Sequence, residues 1–306
     1  MEIFRKMSFA DSTGDAIPFY HEGKYHIFSL TSPPGTTVYP ERLRTTWSHS
    51  ISDDLVHWQE LPTALYPGEG DEPDASGVWT GSVIYGEGQY HAFYTGYCLT
   101  AEFQQTICHA TSDDGITWTK DIANPVITPM TELYEKLDWR DPYVFYNEED
   151  ENYWILISAR RLDMPVTRRG CIVLYRSKNL KDWTYYGPIY SPGHTNCPEC
   201  PEMYKMGGHW YLSYSRFSEF VNTIYRVSES PFGPWRKPKK DGIGGRRFYA
   251  AKSMQNDDGR RFYFGWAHDR AEQSDKGEWY WGGTFCIPHE AVSYTHLRAH
   301  ETGAYL

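Results

Sequence analysis

The sequence predicts an all-β protein, a five-bladed β-propeller with four-stranded antiparallel blades, and three observations carry that prediction. First, an aromatic strand recurs five times, at Tyr25, Tyr90, Tyr153, Trp210 and Phe262, in steps of 65, 63, 57 and 52 residues. Self-similarity at such a period marks a repeat architecture. Second, a polar turn ending in a tryptophan recurs four times, as Ser52 to Trp58, Ser112 to Trp118, Ser177 to Trp183 and Ser228 to Trp235. Third, helical periodicity is weak while aromatics make up 17% of the chain, with 25 tyrosines, a composition suited to pleated, half-buried surfaces.

Each element follows from a local signal. The aromatic segments, such as Tyr25-His26-Ile27-Phe28 and Tyr153-Trp154-Ile155-Leu156, read as strands. Turn-forming tips precede them: Glu22-Gly23-Lys24, Gly86-Glu87-Gly88-Gln89, Asn147 to Asn152, Met206-Gly207-Gly208-His209 and Asp257-Asp258-Gly259-Arg260. Such tips join two antiparallel strands. The polar turn with its Trp links a third strand to a fourth, and four short strands make one propeller blade. The best helical stretch lies around Thr131 to Leu137. Length alone would suggest two domains, but the repeat runs uninterrupted and predicts one propeller over residues 8–292.

Composition narrows the partners. A net charge of −10 disfavours nucleic acid, because phosphate binding needs a basic surface. There is no apolar stretch of membrane-spanning length, so no membrane partner is expected. Met1 to Met7 lacks the apolar core of a secretory signal, which predicts a cytoplasmic protein with reduced thiols. The six cysteines include one C-x-x-C, Cys197-Pro198-Glu199-Cys200. No second pair or paired histidine completes a zinc site, so neither metal nor cofactor is expected. Oligomeric state is not readable.

Three acids occupy similar places in three repeats. Asp15, Asp141 and Glu199 lie 10, 12 and 11 residues before an aromatic strand. A repeat protein can gather such residues at one point, and converging carboxylates suit glycosidic bond cleavage. Arg140-Asp141-Pro142 is either a surface ion pair of little energetic weight or a site held at a strand start by Pro142. Glu199, in Pro198-Glu199-Cys200-Pro201-Glu202, is again tied down by prolines, with Glu202 as its rival. Gly14-Asp15 alone would read as a turn, and only its place in the repeat lifts it.

With these motifs in order, the chain resembles glycoside hydrolase family 32, the β-fructofuranosidases. Asp54-Leu55-Val56-His57-Trp58, Leu61-Pro62-Thr63-Ala64-Leu65, Trp79-Thr80-Gly81-Ser82, Arg140-Asp141-Pro142, Glu199-Cys200-Pro201 and Pro288-His289-Glu290 carry the likeness along the propeller. The resemblance implies a retaining hydrolase of terminal β-fructosidic bonds in sucrose or fructo-oligosaccharides. Glu199 would be the acid/base, Asp15 the nucleophile, and Asp141 the stabiliser of the oxocarbenium-like transition state, with Arg140 helping. Retention implies Asp15 and Glu199 carboxyls about 5–5.5 Å apart. Trp47, Trp79 and Tyr249 would wall the sugar, and Thr80 and Lys252 would hydrogen-bond it.

Departures keep alternatives open. The first motif reads Gly14-Asp15-Ala16-Ile17-Pro18 where the family has N-D-P-N-G. That leaves room for an inverting family 43-like arabinosidase or xylosidase. A glycoside phosphorylase would draw a phosphate pocket from Arg160, Arg161, Arg168 and Arg169, and a non-catalytic sugar-binding propeller would need no nucleophile. The family also carries a C-terminal β-sandwich, for which this chain has no room. Residues 293–306 resemble sequencing-adaptor read-through rather than a further strand.

Overall fold

The strands come in chain order, four to a repeat. The computed structural model describes residues 6–245 and 247–293. Blade one holds β1 (Thr13–His21), β2 (Lys24–Thr31), β3 (Thr46–Ser52) and β4 (Trp58–Leu65). Blade two holds β5 (Gly77–Gly86), β6 (Gln89–Tyr97), β7 (Gln105–Ser112) and β8 (Thr119–Lys120). Blade three holds β9 (Arg140–Asn147), β10 (Asn152–Arg160), β11 (Gly170–Ser177) and β12 (Thr184–Tyr190). Blade four holds β13 (Glu199–Met206), β14 (His209–Arg216), β15 (Asn222–Ser228) and β16 (Gly242–Ile243). Blade five holds β17 (Tyr249–Gln255) and β18 (Arg261–Arg270), with β19 (Trp279–Phe285) and β20 (His289–Ala291) pairing successive stretches of β18. This is a five-bladed propeller. The first strands touch in a ring, β1 to β5 to β9 to β13 to β17 and back to β1.

The local signals act as their chemistry dictates. Glu22-Gly23, Glu87-Gly88 and Gly207-Gly208 take positive φ at both residues, the turn whose twist matches paired strands. In the polar turns, Ser52 Oγ accepts from the Asp54 and Leu55 N–H groups, and Asp54 Oδ1 accepts from those of Val56 and His57. Ser112-Asp114 and Ser177-Asn179 repeat the pattern, as side-chain mimics of backbone turns do. The core is five wedges, each between neighbouring blades. Phe28, Val83 and Tyr94 fill the wedge between blades one and two, for example, and Trp154, Met203 and Leu212 that between three and four. The stretch from Thr131 to Leu137 is not helical: it is a turn with an isolated bridge from Tyr134 to Arg161. Tertiary contacts override a short helical pattern of this kind.

Every first strand carries a β-bulge at the same point, where three steps on it face two on its partner. The bulge runs from Thr13 to Ala16, Val78 to Gly81, Arg140 to Tyr143, Glu199 to Glu202 and Tyr249 to Lys252. Bulges re-aim side chains. Aligned on it, Glu199 holds the first position, Asp141 the second and Asp15 the third. The equivalence expected for the three acids is therefore corrected to a one-residue stagger. Counting back from the aromatic strand blurred it, because hairpin lengths differ among the blades. Asp141, Cys200 and Ala250 all hold the second position, with φ of 59°, 49° and 49°. That left-handed conformation costs a non-glycine residue about 1–2 kcal/mol and is retained where surrounding structure fixes it.

Blade five also meets blade one through Thr13 of β1, which pairs with Gly283 of β19. No helix among the described residues is long and apolar enough to cross a membrane. The tail expected at 293–306 falls, from residue 294 onward, outside the described residues.

Candidate active site

The five bulges open onto one cavity of about 380 Å³. Asp15, Trp79, Thr80, Asp138, Arg140, Asp141, Glu199, Cys200 and Tyr249 line it, and Phe217, His268, Trp279 and Trp281 shape its wall and rim. The stagger sets the depth. Asp15 and Asp141 are buried, while the Glu199 side chain keeps 24% exposure.

Each acid is held by a different set of donors. The Asp15 carboxylate accepts from Trp266 Nε1–H at 2.8 Å and from the Cys200 thiol at 3.6 Å. Gly14 precedes it because a Cβ there would lie 2.5 Å from the Trp281 ring. Asp141 Oδ2 accepts from the Cys200 N–H at 2.8 Å, and the Asp141 N–H donates to Thr95 Oγ1 at 2.8 Å. Glu199 accepts from Arg140 Nη2 at 2.9 Å and from the Tyr249 hydroxyl. The Arg140 guanidinium also reaches Gln105 at 3.1 Å, Asp138, and Asp141 at 3.8 Å.

These surroundings set the proton affinities apart from ordinary carboxylates. Burial pushes Glu199 up to about 7, opposed by Arg140 and reinforced by Asp141 and Asp15. Burial and then the Asp141 charge push Asp15 up to about 6, against Lys252, Trp266 and Cys200, which lower it. Two neighbouring carboxyls separated in this way can take opposite proton roles.

Two sequence expectations are corrected. Trp47 does not wall the cavity. It is fully buried between Phe28 and Tyr94, and its indole N–H donates to the Trp79 carbonyl at 2.9 Å. It lies on the third strand of its blade with its ring packed in the core, so it backs Trp79 from there. Lys252 is also fully buried, and its ammonium donates to the Gly81 carbonyl across the ring. It acts on Asp15 as a counter-charge. Trp79 lines the cavity, stacked on Tyr97 at 4.0 Å. Thr80 lines it too, with a buried and unpartnered hydroxyl oxygen. Sequence reasoning missed Asp138, Phe217, His268 and Trp279, and gave Trp266 and Cys200 no role of their own. Cys200 stood inside the Glu199-Cys200-Pro201 motif, which was the available signal. Arg160, Arg161 and Arg169 face Glu135, Asp138 and Asp163 instead of forming a phosphate pocket.

Comparison with known proteins agrees with this fold. Residues 15–298 match the glycosyl hydrolases family 32 N-terminal domain. A levanase of Bacillus subtilis is 31% identical over 301 residues, 89% of this chain and 41% of the levanase. A sucrose-6-phosphate hydrolase of Zymomonas mobilis is 27% identical over 293 residues, 88% of this chain and 55% of that protein. Fructan 1-exohydrolase IIa of Cichorium intybus has the same fold, with a TM-score of 0.75 at 23% identity, covering 94% of this chain and 57% of that one. The chain thus spans about half the length of the curated relatives it matches.

Proposed function

Because the chain belongs to family 32 of the glycosyl hydrolases, we propose that it cleaves terminal β-fructosidic bonds of sucrose or fructo-oligosaccharides with retention of configuration. The observation that carries this reading is the convergence of Asp15, Asp141 and Glu199 with Arg140 on one cavity, where the surroundings push Glu199 up to about 7 and Asp15 up to about 6.

Between those values Asp15 is mostly ionised and Glu199 mostly protonated. The Asp15 carboxylate attacks the anomeric carbon as Glu199 gives its proton to the departing oxygen. Water then attacks the fructosyl ester, Glu199 takes its proton back, and fructose leaves with two inversions, hence retention. Asp141, fixed by the Cys200 N–H, faces the developing positive charge. The Trp266 and Cys200 donors hold Asp15 on its line of attack, and pre-set geometry of this kind lowers the barrier.

The other readings gain less support. A phosphorylase needs free cations beside the acids; Arg160, Arg161 and Arg169 are engaged with carboxylates, and Arg168 is exposed and does not line the cavity. A binding-only propeller has no use for a glutamate kept protonated near neutrality. The test is incubation with sucrose, levanbiose, inulin and aryl arabinosides, with and without phosphate. The expected result is fructose release without phosphate, lost in Glu199→Gln. Arabinoside turnover, phosphate dependence, or binding without turnover would each replace this reading. The pH dependence of kcat/KM should peak between about 6 and 7. It falls below that window as Asp15 takes up a proton, and above it as Glu199 loses one.

A further inference from the structure

From Glu199 and Arg140 in the cavity, a chain of alternating charges runs outward. Arg140 bonds Asp138 on one side and Glu199 at 2.9 Å on the other. Asp138 lies 3.3 Å from Arg160 Nε. Arg160 Nε donates to Glu135 at 2.6 Å, and Glu135 also accepts from Arg169. The run is Glu199, Arg140, Asp138, Arg160, Glu135, Arg169.

The same side chains bind three connections together. Glu135 and Asp138 lie on the link from blade two to blade three. Arg169 lies in the loop between β10 and β11, where its Nε donates to the Met164 carbonyl at 2.8 Å. Arg160, at the end of β10, donates to the Asn196 carbonyl at 3.1 Å, three residues before Glu199. Ser158 Oγ donates to the Pro198 carbonyl. The backbone that delivers Glu199 is therefore clamped by the residues that carry the charges. Arg160 keeps only 7% side-chain exposure, Glu135 21% and Asp138 26%. Charges withdrawn from water to this degree are costly, and apolar replacements are often as stable. Stability alone gives little reason for such a chain.

We propose that Glu135 and Arg160, through Asp138 and Arg140, are positioning residues that hold Glu199 in place and set the proton affinity of this acid/base. The inference rests on the assignment of Glu199 as the acid/base. Asp138 and Glu199 share one guanidinium. Neutralising Arg160 leaves Asp138 with only Arg140 for a partner and draws that cation away from Glu199. Neutralising Glu135 frees Arg160 for Asp138 and Arg140 for Glu199. The other groups facing Glu199 are Asp15, Asp141, Tyr249 and the Cys197 and Cys200 thiols, and both substitutions leave them in place.

The experiment is the pH profile of kcat/KM on sucrose for the wild type, Arg160→Gln, Glu135→Gln and Arg160→Lys. The alkaline limb should move up by about half a unit in Arg160→Gln and down by a similar amount in Glu135→Gln, since a nearby charge acts with opposite sign when it is a cation or an anion. Arg160→Lys, which keeps the charge, should lie close to the wild type. Limbs that stay put, or that move the same way in both Gln variants, overturn the proposal. If the wild type releases no fructose from any fructoside, the hydrolase reading has failed. The proposal is then read from ¹³C-carboxyl titration of Glu199 in the same four proteins, where opposite shifts uphold the chain and equal ones reject it. Thermal unfolding at pH 6 identifies any variant that has lost its fold, and ¹³C titration of Asp138→Asn, with a downward shift expected, then replaces it.

Discussion

Glu199 and Glu202 stand three residues apart on one strand, at the two ends of one bulge, and their fates differ. Both are pushed up by withdrawal from water, Glu202 wholly and Glu199 in part, with an arginine opposing the shift. Glu202 is fully enclosed and saturated: it accepts from the Ser253 N–H and hydroxyl, from Ser213, and lies 3.6 Å from Arg261. Glu199 keeps one side toward the cavity. Withdrawal from water alone therefore does not prepare a carboxyl for a ligand. What separates them is whether a bonding position remains for something other than protein.

The largest test of this contrast is Glu199→Gln, which should lower kcat by about 10²–10⁴-fold while the unfolding midpoint stays near that of the wild type. Glu202→Leu should do the reverse. It strands the Arg261 charge and should cost about 3–5 kcal/mol in denaturant unfolding, with the catalytic pH profile of the surviving folded protein unchanged. A Glu202 variant that folds normally would erase the distinction.

Asp15→Asn sharpens it from the other side. The folded protein raises Asp15 from 3.8 to about 6, so the fold prefers the protonated form, and ionised Asp15 opposes folding above about pH 6. Removing that charge should therefore raise stability by up to about 3 kcal/mol at pH 8. The gain should vanish below about pH 4, where the acid is protonated in both states, as paired melts at the two pH values would reveal. The smallest effect is Gly14→Ala. Its Cβ would press on Trp281, and overpacking of this kind costs about 1–3 kcal/mol. Because Asp15 is the next residue, kcat/KM on sucrose should fall further than the loss of stability accounts for.

Much of this was legible in the chain. The aromatic repeat reports blade number because each second strand must pack on both neighbours, so Tyr25, Tyr90, Tyr153, Trp210 and Phe262 recur. Asp141 and Glu199 were legible through the prolines that fix their backbone. The stagger was not, since a bulge adds a residue without any composition signal of its own. Trp47 and Lys252 were misread for a related reason. A resemblance tells that a residue is near the site, but the face of the sheet it occupies is decided by register. The ion chain from Glu199 to Arg169 joins residues up to 64 positions apart in sequence, and only the fold brings them together.

The pairing of Thr13 with Gly283 has a consequence for the order in which the molecule is made. Asp15, two residues beyond that pairing, is synthesised before the other acids. Yet its partners Cys200, Lys252 and Trp266 come from blades four and five. A chain still emerging from the ribosome can lay down blades two and three while the first strand waits for its last neighbour. The earliest of the three cavity acids in the chain is thus the last to gain its full set of partners, and an unfinished chain holds an incomplete cavity.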